Sequence, residues 1–184
     1  MSLFAEILQP KPGSVGCLED PHRWRIVAEM LGLPPEAMHV EKKRYVSRLT
    51  KRGNLFILVT KHRVMGVLYA SSYGELPAVK VHRCAFGEGL AFDHEQLLVR
   101  TFLRHFDGDE VIITNDVFSM DAEIQERLGT AIQQVYRSQK RNPPNRLWQG
   151  YRDALHEVED PLYLKPKAGL IRSIIGSLCG SFHY

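Results

Sequence analysis

Thr60, Lys61, His62 and Arg63 follow an apolar run and place three basic side chains and a hydroxyl at consecutive positions. Such a tetrad can hold phosphate through charge-assisted donors, and through backbone N–H groups if a helix begins just after it. It can also serve hydrolysis, His62 taking a proton from water while Arg63 balances the phosphate charge. Glu41 is a second candidate for activating water, because it stands at the edge of a basic block. That block supplies Lys42, Lys43, Arg44, Arg48, Lys51 and Arg52, the candidates for contact with DNA phosphates. A solvated helix face has the same composition. Trp148 and Tyr151, beside Arg146 and Arg152, could stack on bases of a single strand or form a packing face.

Charge is strongly segregated along the chain. Residues 41–63 hold eight Lys/Arg against Glu41, whereas residues 84–136 hold ten acids against Arg100, Arg104 and Arg127. The total of +3 hides this local field. Asp107, Asp109, Glu110 and Asp116 are a carboxylate cluster near a strand end, suited to Mg²⁺ or to a solvated turn. Metal ligands are left unknown by these spacings. Gly87-Glu88-Gly89 lacks the Lys and Ser/Thr of a Walker loop, so any ATP site must use another cradle, such as 60–63.

Several bounds frame these candidates. The 184 residues are 44% hydrophobic and 24% charged, the balance of one globular domain rather than a disordered or fibrous chain. Cys17, Cys84 and Cys179 are widely spaced, which fits a reduced bacterial cytoplasm and no structural zinc. No apolar run has the length of a membrane span.

The elements that must position the candidates follow from periodicity. Residues 1–20, rich in Pro and Gly, read as an irregular arm, 21–165 as the domain and 166–184 as an apolar tail. Asp20 and Pro21 open a helix to Leu31, with Trp24, Val27, Ala28 and Leu31 on one face. Pro34-Pro35 starts a short turn through Met38, and residues 40–53 fit either a helix or a basic strand. Leu55–Thr60 is a buried strand, Val64–Ser71 has helical spacing ending at Gly74, and Val79–Phe86 is a second strand. Asp93 caps a helix to Phe106, Val111–Thr114 is a third strand, and Asp121 opens an amphipathic helix to Lys140. Arg141–Asn145 breaks it, and a last helix runs from Arg146 to about Val158. The class is α/β, mixed α+β, with flanking helices.

The order strand, x-x-His-Arg, short helix ending in Gly, then Pro77-x-Val79-x-Val81 resembles the core unit of the ParB/sulfiredoxin superfamily. That resemblance implies a compact strand–turn–helix–strand core, with Thr60, Lys61, His62 and Arg63 at a nucleotide. Thr60 or Lys61 stands where the family has Gly, and the sulfiredoxin cysteine is absent, which excludes sulfinic acid reduction. Size and the basic lead-in are similar to plasmid fertility-inhibition factors of the oncogenic suppression activity type. The resemblance implies a cytoplasmic DNA-binding nuclease and hydrolase with ATPase activity, using ATP and Mg²⁺. It would block conjugation of a competing plasmid, with a type IV secretion component as partner and peripheral association with that complex.

Two alternatives come from the same residues. Hairpin strands followed by strand, helix, strand and helix over 79–140 give the order of a GNAT-like acyltransferase. Its donor loop would be Phe86–Ala91, a poor version with an acid, Glu88, where pyrophosphate would sit. The other alternative is a non-catalytic inhibitor that occupies a secretion or conjugation protein. Read by itself, Thr60–Arg63 is also a plain hairpin turn between antiparallel strands.

Overall fold

The structure, a computed structural model, describes residues 5–11, 18–34, 42–61, 63–107, 109–115, 120–138, 147–151 and 155–157. Asp20 opens the first helix as its composition requires: its side chain accepts the His22 N–H at 2.9 Å, with Pro21 in the first turn. This helix, α1 (Pro21–Met30), buries Trp24, Val27 and Ala28. The segment that fitted helix or strand is helical, α2 (Lys42–Arg52).

Strands β1 (Ala5–Leu8), β2 (Asn54–Thr60), β3 (Arg63–Ser72) and β4 (Ala78–Phe86) form successive antiparallel pairs. Helix α3 (Phe92–His105) then leads to β5 (Glu110–Asn115), and α4 (Ala122–Ser138) leads to β6 (Leu147–Tyr151) and β7 (His156–Glu157). Both β4–β5 and β5–β6 are parallel, each bridged by a helix as parallel pairing demands. Among the described residues one seven-stranded sheet results, in the order β1-β2-β3-β4-β5-β6-β7.

The sheet is covered on both faces. Phe56, Leu58, Leu68, Val79 and Val81 meet Leu98 and Phe102 of α3 and Leu128 and Ile132 of α4. Phe56 and Phe102 are edge to face at 6.0 Å, a geometry worth about 1 kcal/mol beyond the area buried. On the other face Leu55, Ile57, Val59, Val64 and Val67 pack with Trp24, Val27 and Ala28 of α1. A smaller cluster of Ala78, Ile112 and Trp148 continues that opposite side across β4, β5 and β6.

Four sequence expectations are corrected here. Val64–Ser71 is strand, not helix: β2 and β3 pair from Asn54↔Ala70 to Thr60↔Arg63, a hairpin closed by two residues. Its faces are both buried and Met65 is the extra residue of a bulge, so strand alternation is lost and helical spacing is imitated. Within the arm, Ala5–Leu8 is an edge strand on β2. Asp93 lies inside α3, whose cap is Ala91 without a side-chain bond. Leu147–Tyr151 is strand, the place of the last predicted helix being taken by β6 and β7. The Pro35–Met38 turn, the Arg141–Asn145 breaker and the tail lie outside the described residues. Among the described residues no helix is long and apolar enough to cross a membrane.

Candidate active site at the β4–β5 opening

The distinctive feature of the sheet is a ladder that stops early. β4 and β5 pair only from Ala78↔Glu110 to Val81↔Ile113, while β4 continues to Phe86 and β5 to Asn115. Parallel strands that part at their carboxyl ends leave backbone groups without their ladder partners, and such crevices are where open α/β sheets bind ligands. A bulge marks the same point. Tyr69 pairs with Arg83 and Ala70 with Val81, so His82 is the extra residue of β4.

His82 and Thr114 are the first residues of their strands beyond the last pair, Val81↔Ile113. Alternation places both on the face of Ala78 and Ile112, opposite α3 and α4. His82 is half-buried and its Nε2 lies 2.7 Å from Ser71 Oγ. Its ring stacks at 5.3 Å and 33° on Tyr69. The Tyr69 hydroxyl donates to the Leu49 carbonyl of α2 at 3.3 Å, and burial pushes that phenol up against the opposing pull of Arg52. Thr114 is buried, yet its Oγ1 has no partner among the described residues. Such an orphan hydroxyl costs about 1–3 kcal/mol unless a ligand or water completes it.

The opposite face carries a buried ion pair. Glu95, in the first turns of α3, accepts from Arg127 of α4, and that guanidinium lies 4.8 Å over the Phe86 ring. The Glu95 bond raises Arg127 further above its ordinary value. Burial, with the Glu95 carboxylate second, pushes the Cys84 thiol far up, so it is a proton-holding core group and not a nucleophile. Gln125 donates to the Ile113 carbonyl at 3.3 Å and the Gly150 carbonyl at 3.5 Å, tying α4 to the ends of β5 and β6.

Loop 87–91 joins β4 to α3. Gly87 donates to Met65 O at 2.8 Å, Gly89 has φ +68°, and a Cβ on Gly89 would meet no atom within 4 Å. Leu90 is buried, whereas Glu88, Asp93 and the Phe92 ring are exposed.

Of the residues singled out from sequence, Arg52 lies close enough to Tyr69 to act on its phenol. Thr60 ends β2 and is buried, Lys61 is exposed at φ +46°, and exposed Arg63 begins β3. Glu41 and His62 are outside the described residues. Lys42, Lys43 and Arg44 begin α2, and Arg48, Lys51 and Arg52 are exposed along it. The structure therefore sets 60–63 at one end of the β2–β3 hairpin and Lys51 and Arg52 beside its other end, before Asn54. Asp107 and Asp109 follow α3, Glu110 accepts from Trp148 Nε1 at 3.1 Å, and Asp116 is outside the described residues. Trp148 is thus a core residue. Among the described residues no three His, Cys, Asp or Glu side chains are grouped to hold a metal. Sequence reasoning missed His82, Ser71, Tyr69 and Thr114. The signal for His82 was available, since Val79-x-Val81-x-x-Cys84 breaks strand alternation there.

No family model matches the chain, and no curated protein matches it at a significant level. Solved structures do. An aminoglycoside acetyltransferase from an uncultured soil metagenomic sample is 15% identical, with TM-score 0.47, over 77% of this chain and 93% of that one. Another from such a sample, in complex with sisomicin, is 16% identical, with TM-score 0.46, over 89% and 97%. Aminoglycoside N-acetyltransferase AAC(6')-Iy in complex with CoA is 13% identical, with TM-score 0.46, over 91% and 98%.

The ParB/sulfiredoxin resemblance does not hold. Its unit required a helix after His62-Arg63, and the chain has the second strand of a hairpin there. The nuclease and ATPase activities, ATP with Mg²⁺, and the fertility-inhibition role were implied by that resemblance and fall with it.

Proposed function

We propose that the chain is a GNAT-like acyltransferase that moves an acyl group from a thioester to an amine. One observation carries this reading: the β4–β5 ladder ends at Val81↔Ile113, with His82 and the orphan hydroxyl of Thr114 immediately beyond it. An extended, amide-bearing thioester arm can lie along residues 82–86 of β4 as an added strand, using backbone groups turned away from β3. The His82–Ser71 pair takes the proton of the incoming amine. The amine nitrogen then bonds to the acyl carbon, the carbon–sulfur bond breaks, and the departing thiolate recovers the proton. Positioning of the two reactants in one crevice supplies much of the rate.

Whether CoA suits the site turns on loop 87–91. Gly89 is open and α3 has an uncapped start, which would favour an anion. Residues 87–95 nevertheless carry Glu88, Asp93 and Glu95 and no Lys or Arg, and nearby Arg127 is committed to Glu95. These residues supply no Lys or Arg of their own, while the exposed Lys61 and Arg63 stand at the same end of the sheet, so the reading rests on the thioester arm alone.

The test is incubation of the protein with S-acetylpantetheine or acetyl-CoA and a panel of amines, following free thiol and amide product together. Matched release of thiol and amide, lost in His82→Ala, is the expected result. Thiol release no faster than the blank with both donors and every amine would refute the reading.

A further inference from the structure

On the acyltransferase reading, we infer that the acceptor amine also carries a carboxylate or phosphate, held by Lys51 and Arg52 beside the His82–Ser71 pair; this names the acceptor class. The C-terminal end of α2 is built onto the wall of that pair. Tyr69, on which His82 stacks, donates to the Leu49 carbonyl of α2, and the Gly53 N–H donates to the same carbonyl at 3.0 Å. A Cβ on Gly53 would stand 2.5 Å from the Ala70 carbonyl oxygen and 3.1 Å from Ser71 Cβ. Glycine therefore lets the chain come down on β3 here, and Arg52 directly precedes it. Tyr45 and Leu49 pack α2 on the face of Leu55, Ile57 and Tyr69, which is also the face of His82.

The charge at this helix end has one sign. Arg48, Lys51 and Arg52 are exposed and make no ion pair among the described residues. Arg48 stands three residues before Lys51 and four before Arg52, spacings that bring like charges together on a helix and destabilise it. Arg52 is near enough for its charge to act on the Tyr69 phenol. Lys80 adds a cation from the sheet, as the cross-strand neighbour of Ser71 on the face of Ala78. Glu29, the acid of α1, is matched by Arg25 at 3.8 Å. An anion held at the α2 end relieves the repulsion, and an amine tethered to it is delivered to the side of the sheet that His82 occupies. The same field favours the uncharged, nucleophilic form of the incoming amine and opposes a polycation.

Acylation of β-alanine, 2-aminoethyl phosphate, ethanolamine and spermidine by the intact chain, with S-acetylpantetheine or acetyl-CoA as donor, tests this. At low salt, kcat/KM for at least one of the two anionic amines should exceed that for ethanolamine by roughly tenfold, mostly through KM. The margin should shrink as salt is added, and the better of the two shows whether carboxylate or phosphate is held. In Lys51→Gln combined with Arg52→Gln the margin should fall to about twofold or less, and in Lys51→Glu combined with Arg52→Glu the order should turn in favour of spermidine. Ethanolamine or spermidine used as well as both anionic amines, or a margin that survives in the Gln variant, overturns the inference and leaves the acyltransferase reading standing. Amide formed from none of the amines overturns both.

Discussion

Ser71 Oγ lies 2.7 Å from His82 Nε2, joining β3 to the extra residue of β4 at the point where the β4–β5 ladder ends. A bulge re-aims a side chain without breaking the sheet, and here the imidazole of the extra residue lies against β3, on Ser71 and the Tyr69 ring. A hydroxyl can both donate and accept, so Ser71 fixes the ring's orientation and shares its proton.

The first prediction follows from that pair. His82→Ala should lower kcat/KM for acyl transfer by roughly 10²–10⁴ and remove the acidic limb of the pH–rate profile. Ser71→Ala should keep the fold, lower the rate by about tenfold and displace that limb, as expected of a residue that positions the base. Steady-state rates across pH for the three proteins check this, and an unchanged acidic limb in Ser71→Ala would count against the pairing.

The second concerns Glu95 and Arg127. Removing Arg127 leaves a carboxylate that is 4% exposed without its cation. Breaking a fully buried pair costs about 3–5 kcal/mol; with the Arg127 side chain 36% exposed, solvent screening should reduce the loss in Arg127→Ala to about 2–3 kcal/mol. Glu95→Gln with Arg127→Met should lose less than the two single changes together. Urea unfolding of the three variants gives the coupling, and strictly additive losses would show that the pair contributes nothing of its own.

How much of this was legible in the sequence depends on how much each strand reveals of its period. α1 was readable because Asp20, Pro21 and the Trp24/Val27/Ala28 face all agree. β2 and β5 were readable as short apolar runs between turn formers. β3 was not, because Val64 and Val67 pack under α1 while Leu68 and Ala70 pack under α3 and α4, so both faces are apolar and a bulge at Met65 shifts the parity. That one substitution of strand for helix converted a hairpin end into an apparent phosphate corner and carried the functional reading with it. The early end of the β4–β5 ladder is a long-range property, set by pairing between residues about thirty positions apart, and no local window contains it.

The third prediction tests the hairpin. Lys61 holds φ +46°, a conformation that costs a residue with a Cβ about 1–2 kcal/mol. Two-residue hairpin connections favour glycine at such positions. Lys61→Gly should therefore raise stability by about 1 kcal/mol, part of the relief being offset by the greater freedom of the unfolded chain. A shift of the urea midpoint to higher concentration at unchanged slope is the expected signature, and a midpoint that falls would argue against the left-handed turn.

The last concerns Cys84 and alkaline pH. Burial, reinforced by the Glu95 carboxylate, raises this thiol far above its ordinary 9.0, and the opposing pull of Arg127 and Arg83 does not cancel it. The native state therefore keeps a proton that the unfolded chain releases once pH exceeds about 9, so unfolding becomes progressively easier as pH rises. One such group contributes a slope of about −1.4 kcal/mol per pH unit in that range. Tyr69, also raised by burial, adds to the same trend above its ordinary 10.0. Urea unfolding between pH 8 and 10.5, values chosen to span about those two thresholds, should show stability falling with pH, and Cys84→Ala should be less stable at neutral pH yet flatter above it. Equal slopes in the two proteins would place the Cys84 thiol in contact with solvent, against its burial beneath α3 and α4.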